Sequence, residues 1–139
     1  MTNSSSTPSR PAQRIRNVRF TELHNYRLPV PGVVSILHRI SGLLMFLLLP
    51  FVLCLFDRSL RSAQAFDDMV RFTHGWFARL VLLALGWALL HHACAGVRFL
   101  LLDVHVGTER AAARTSSKIV LAVSLALTLV LAFALFGGS

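Results

Sequence analysis

Charge is scarce in this chain of 139 residues: Asp, Glu, Lys and Arg together make up 14%, against roughly 25% in an ordinary soluble domain. Acids are scarcest, six against fourteen Lys and Arg, and no pair of carboxylates falls within an apolar segment. Cysteine is limited to Cys54 and Cys94, each inside an apolar run, where a thiol behaves as a small hydrophobe. That spacing excludes a disulfide framework, a Cys-x-x-Cys redox pair and c-type haem attachment. There is no Walker loop, no His-Glu-x-x-His zinc motif and no Gly-x-Ser-x-Gly elbow, so soluble-enzyme chemistry is absent. There is also no internal repeat. The net charge of +8 is no sign of nucleic acid, because phosphate-binding patches need a folded polar surface that this chain hardly has.

Apolar length is what the chain has in abundance, with 55% hydrophobic residues. Three runs, Val33 to Phe56, Trp76 to Leu102 and Ile119 to Phe136, come near the length of about 20 residues that a bilayer demands. They predict an all-α membrane protein of three transmembrane helices. Asp57 to Arg71 and Asp103 to Lys118 hold nearly all the remaining charge and read as loops. Pro50 removes one backbone donor inside the first run, which predicts a kink that neighbouring groups must satisfy. Residues 1–16, rich at their start in Ser, Thr and Pro, read as a disordered polar tail retained without cleavage, and residues 17–139 as one membrane domain. Arg10, Arg14, Arg16, Arg19 and Arg27 precede the first run, and Arg98, Arg110, Arg114 and Lys118 flank the second loop. In the first loop, Arg58, Arg61 and Arg71 are balanced by Asp57, Asp67 and Asp68. By the positive-inside rule the N-terminus and second loop are expected in the cytoplasm.

Two polar clusters stand out, because an ionisable group within a span costs about 2.5 to 3.5 kcal/mol and calls for a partner. In the first, Ser35, His38, Arg39 and Gly42 fall at i, i+3, i+4 and i+7 with Ser41 between, so one helix face joins a hydroxyl, an imidazole and a guanidinium to a glycine that admits a close neighbour. Such a face suits a ligand with an anionic or carbonyl group; the alternative is that His38 and Arg39 snorkel to lipid headgroups. In the second cluster, His92 lies roughly 15 Å inside its span, counted from Leu102, with Ala84, Ala88 and Gly96 in line with it. That line admits either another helix or a flat macrocycle, and His92 reads as a haem ligand or as a histidine hydrogen-bonded between helices. His91 points about 100° away and cannot serve the same ligand. His38 reads as lying at the membrane edge and the third span holds no histidine, so a haem here needs its second axial ligand from another subunit. The third span carries no ionisable group and reads as a packing and lipid-facing element.

Ser35-Ile36-Leu37-His38-Arg39-Ile40-Ser41-Gly42 resembles the Ser-x-x-His-Arg-x-(Ser or Thr)-Gly signature of the succinate dehydrogenase cytochrome b subunit family, the larger of that enzyme's two membrane anchors. His92-Ala93-Cys94-Ala95-Gly96-Val97-Arg98, ending at Asp103, is similar to the family's His-x-x-x-Gly-(Ile or Val)-Arg-x-x-x-x-Asp. The resemblance covers the chain from about Asn17 to its end. It implies a subunit, not catalytic alone, of succinate:quinone oxidoreductase in the bacterial inner membrane, with its N-terminus cytoplasmic. Implied with it is a helix bundle shared with the smaller anchor subunit, below an iron-sulfur subunit and a flavoprotein subunit, with no nucleic acid among its partners. By position, His92 matches the haem b axial ligand and so the metal-binding residue. One haem is then shared with the smaller anchor. His38 and Arg39 match the propionate vicinity. Ser35 and Arg39 match contacts to ubiquinone, the substrate, and Asp103 matches a position near the quinone with proton delivery as the role open to it. Some members carry a second histidine seven residues after the ligand, where this chain has Phe99. A fumarate reductase anchor, running the same couple in reverse, and a cofactor-free structural membrane protein are the rival readings.

Overall fold

The computed structural model describes residues 28–137; the N-terminal tail, most of the segment from Asn17 to Pro31 and the five arginines expected to set orientation from that end lie outside the described residues. Four helices follow in order: α1 Val30–Ser59, α2 Ala63–Thr73, α3 Trp76–Asp103 and α4 Arg110–Phe136. Among the described residues there is no strand, and the chain is an all-α membrane protein. Three helices, α1, α3 and α4, are long and apolar enough to cross a membrane. With 30, 28 and 27 residues they reach about 40 to 45 Å at 1.5 Å per residue, against a hydrocarbon core of about 30 Å. They therefore extend beyond the apolar runs from which the sequence places them.

That excess explains two departures from the sequence reading. Helix α4 begins at Arg110, well before Ile119, because Ala111, Ala112 and Ala113 are strong helix formers that need no lipid. The stretch Asp57 to Arg71, expected as a loop, instead finishes α1 and contains most of α2. Ser62 caps α2, its hydroxyl accepting from the Ala65 amide at 3.1 Å. Ion pairs at helical spacing, Arg61 to Asp57 and Arg71 to Asp68, decorate this end, and the hydrogen bonds that Arg61 donates to the Asp57 carboxylate raise its pKa above the ordinary value. Helix α1 starts behind Pro29 with Pro31 in its first turn, where a missing amide hydrogen costs nothing. It runs on through Pro50 without a break in the assigned helix. The tight α3 to α4 connection uses His105 and Gly107 at positive φ, 63° and 75°; glycine adopts that region without steric cost.

Helix α3 is the central element, packed against both α1 and α4. Its buried residues Ala88, His91, Ala95 and Arg98 form one stripe. Buried with them are Val34 and Ser41 of α1 and Ser117, Val120 and Ser124 of α4. Val34, Ala95 and Val120, one from each span, form the apolar centre, with Cys94, Phe99 and Leu121 against it. Small and hydroxylated residues fill this interface because helices in lipid gain little by burying large apolar groups and much by close approach and hydrogen bonds. The large side chains, among them Phe46, Phe77, Leu100, Val130 and Phe133, face outward. Helix α4 thus does more than face lipid, since its serines receive the polar groups of α3.

Candidate functional site

Helices α1 and α3 run antiparallel, and this brings the two sequence clusters together. His38 lies about 12 Å from the start of α1 at Val30, and His92 about 16 Å from the end of α3 at Asp103. The two imidazoles stack, their centroids 4.1 Å apart and their planes 14° from parallel. His38 is therefore level with His92, and it sits more than two turns within α1. Face-to-face rings have their nitrogens side by side, whereas two axial ligands point at one another across a metal. The stacked pair does not supply both ligands to one metal.

The two helices interlock through their glycines. A Cβ at Gly42 would lie 3.0 Å from Cε1 and 3.3 Å from Nδ1 of His92, and a Cβ at Gly96 would lie 3.7 Å from Nε2 of His38. Each histidine occupies the space left by the other helix's glycine. The room beside Gly42 and Gly96 thus accommodates imidazoles of this chain, which settles part of the small-residue line in favour of helix packing. Phe99 leans on His38 with centroids 5.1 Å apart, and the Arg98 guanidinium lies over Phe99 at 5.4 Å.

Hydrogen bonds fix the state of the His92 ring. Its Nδ1 lies 3.1 Å from the His38 carbonyl oxygen and 3.3 Å from Ser41 Oγ. The Ser41 hydroxyl donates its hydrogen to the same carbonyl at 2.9 Å, so towards Nδ1 it can only accept. A carbonyl and an accepting hydroxyl both face Nδ1, and Nδ1 must carry the proton. The described residues provide no hydrogen-bond partner for Nε2. A half-buried imidazole held at Nδ1 by a backbone carbonyl and open at Nε2 is the arrangement from which a neutral histidine ligates iron. The residues present fit one axial ligand to a haem. Among the described residues no three His, Cys, Asp or Glu side chains gather into a metal site, so the arrangement offers one ligand and not a protein cage.

Ser35 and Arg39 stand beside this seat. At 100° per residue, Ser35, Arg39 and Gly42 fall within about 60° of one another on α1. Gly42 faces His92, which places Ser35 and Arg39 on the flank of the site. Ser35 is half-buried and Arg39 exposed, and the guanidinium is turned out of the chain's own core. Asp103 ends α3 and is exposed, on the same side of the bundle as the start of α1.

His91 turns the other way, as its 100° offset requires. It is 1% exposed, Nδ1 is 3.2 Å from Ser124 Oγ of α4, and Trp87 stacks nearby at 5.7 Å. Its Nε2 is buried without a hydrogen-bond partner among the described residues. Arg98, read in the sequence as a charge flanking the second loop and as the arginine of the second signature, is 5% exposed and donates to Ser116 Oγ at 3.0 Å and to the Ala113 carbonyl at 3.3 Å. It staples α3 to the first turns of α4. At the opposite end Arg79, which stands outside both clusters, donates to His74 Nδ1 at 3.1 Å and lies over the Phe136 ring at 5.9 Å. The signal that finds these residues is the buried-charge rule applied to every Arg and His in a span, followed by a search for serines on the neighbouring helix.

Known proteins match this architecture along most of its length. The chain is 33% identical over 115 residues to the succinate dehydrogenase cytochrome b556 subunit of Coxiella burnetii, covering 81% of this chain and 89% of that one. It is 30% identical over 105 residues to the protein of that name from Paracoccus denitrificans, covering 76% and 81%. With the Rickettsia felis protein of that name it shares 28% over 121 residues, 86% and 94% of the two chains. Residues 12–131 match the family described as succinate dehydrogenase/fumarate reductase transmembrane subunit, and the chain belongs to that family.

Proposed function

We propose that this chain is the larger, cytochrome b anchor of a bacterial succinate dehydrogenase, in which His92 ligates haem b and Ser35 and Arg39 help form the ubiquinone reduction site. The observation that carries the reading is that the His38 carbonyl and Ser41 Oγ both engage Nδ1 of His92, which leaves Nε2 as the nitrogen that could meet iron. Haem, when bound, supplies a one-electron centre inside the membrane. The smaller anchor would supply the haem's other protein ligand, and His38 and Arg39 would hold its propionates. The relatives' names favour succinate oxidation over fumarate reduction as the working direction. An iron-sulfur subunit then delivers electrons from a flavoprotein subunit to a quinone at the cytoplasmic face of the inner membrane. The chain's N-terminus and its α3 to α4 loop share that face.

Each residue of this chain has a distinct task in that reading. The Arg39 guanidinium meets the negative charge that develops on a quinone oxygen. The Ser35 hydroxyl, one turn away on the same face, donates to that oxygen and orients the ring. Asp103, exposed at the end of α3, is placed to pass protons from the cytoplasmic side.

The test separates quinone chemistry from assembly. In the purified complex, Arg39→Ala and Ser35→Ala are expected to lower succinate:ubiquinone reductase activity about tenfold or more, the scale of losing one charged or hydrogen-bonding contact in a reaction. Reduction of a soluble artificial acceptor from the iron-sulfur arm should persist. Equal loss in both assays would refute the quinone-site assignment and indicate failed assembly.

A further inference from the structure

The His38 carbonyl by itself is enough to place a proton on Nδ1 of His92, yet a second oxygen is present. Ser41 is fully buried, 0% exposed, and its Oγ stands 3.3 Å from the same nitrogen while bonded to the same carbonyl at 2.9 Å. A lone carbonyl accepts hydrogen bonds over a broad range of directions, so it sets the tautomer but leaves the imidazole free to swing about its bond to Cβ. Two oxygens on one turn of α1 define a line between which the Nδ1–H must point, and this sets the plane of the ring. The other limits on that ring are contacts: the backbone of Gly42 at the Cε1 edge and the His38 ring on one face. Burial means that no water can take the place of the hydroxyl.

The geometry points to Ser41 as a positioning residue that fixes the plane in which His92 presents Nε2 to the haem iron; this rests on the reading of His92 as the axial ligand. Partners of ligand histidines orient the ring and tune the metal. The plane of an axial imidazole also sets the electronic splitting of low-spin ferric haem. Ser41 therefore acts on the spectrum and potential of the centre without touching it.

The whole complex, purified with its partner subunits, would carry Ser41→Ala, Ser41→Thr or His92→Ala. Haem content, the low-field electron paramagnetic resonance line of the ferric haem and a redox titration would be measured. Ser41→Ala is expected to shift or broaden that line and to change the oxidised-to-reduced ratio at the wild-type midpoint about threefold or more, a conservative fraction of outer-shell effects. Ser41→Thr, which keeps the hydroxyl, should return both to wild type. A haem-free Ser41→Ala complex restored by Ser41→Thr would support the proposal equally. Wild-type line and titration in Ser41→Ala would overturn it, and so would equal impairment in both variants, which would assign the effect to side-chain size. A His92→Ala complex that keeps the low-spin line would instead defeat the ligand reading itself, independently of any Ser41 result.

Discussion

Replacing Gly42 by alanine adds one methyl group where the fit to His92 is already tight. That Cβ would lie 3.0 Å from Cε1 of His92, against about 3.5 to 4.0 Å for an ordinary carbon contact. The ring must give way by a few tenths of an ångström. The bond from Nδ1 to the His38 carbonyl, already 3.1 Å, then weakens as it nears the limit of a hydrogen bond. Loosening this half-buried donor costs at most about 1 to 3 kcal/mol, while alanine in place of glycine returns up to about 1 kcal/mol of helix propensity. Stability should thus fall only slightly, whereas the seat of the haem ligand is disturbed. Gly96→Ala is the matched control, because its Cβ would meet His38 Nε2 at 3.7 Å, an ordinary contact. Both variants would be purified with their partners and compared for thermal unfolding in detergent and for haem per protein. Gly42→Ala is expected to lose most of its haem with a small change in unfolding temperature, and Gly96→Ala to keep both near wild type. Full haem occupancy in Gly42→Ala, or equal loss in the two, would refute the reasoning.

Arg98→Ala removes the two hydrogen bonds that bind α3 to α4, and a destabilisation of about 2 to 3 kcal/mol is expected in reversible unfolding in mixed detergent, the scale of bonds from a charged donor; no change would show that the staple is inert. His91→Leu deletes the bond to Ser124 together with the unpartnered Nε2, two effects of about 1 kcal/mol and opposite sign, so unfolding should stay within about 1 kcal/mol of wild type and haem should be retained. Loss of haem on that substitution would mean that the ligand is the wrong one of the two neighbours.

The spans were legible in the sequence because lipid imposes a length, and Val33 to Phe56, Trp76 to Leu102 and Ile119 to Phe136 all lie within the observed helices. Where the helices leave the hydrocarbon that constraint ends, which is why the start of α4 and the whole of α2 escaped a search for apolar runs. Ser62 before Phe66, Met69 and Val70 carries the signal for α2, a cap followed by helical spacing. At the site, the grouping of Ser35, His38, Arg39 and Gly42 followed from helical periodicity, and so did the divergence of His91 from His92. The pairing of His38 with His92 did not follow, because level in a bundle depends on where each helix begins and not on where its apolar run begins. Nor could the partners of His91 and Arg98 be read, since they depend on the rotation of α4, where the hydroxyls of Ser116 and Ser124 carry no charge to mark them.

The most direct test of the central claim is a reduced-minus-oxidised visible spectrum of the complex purified through this chain, with wild type and His92→Ala side by side. The account predicts a b-type band in the wild type that disappears in His92→Ala while the partner subunits still co-purify. A b-type band of normal size in His92→Ala, or none in a wild type that retains its partners, would contradict it.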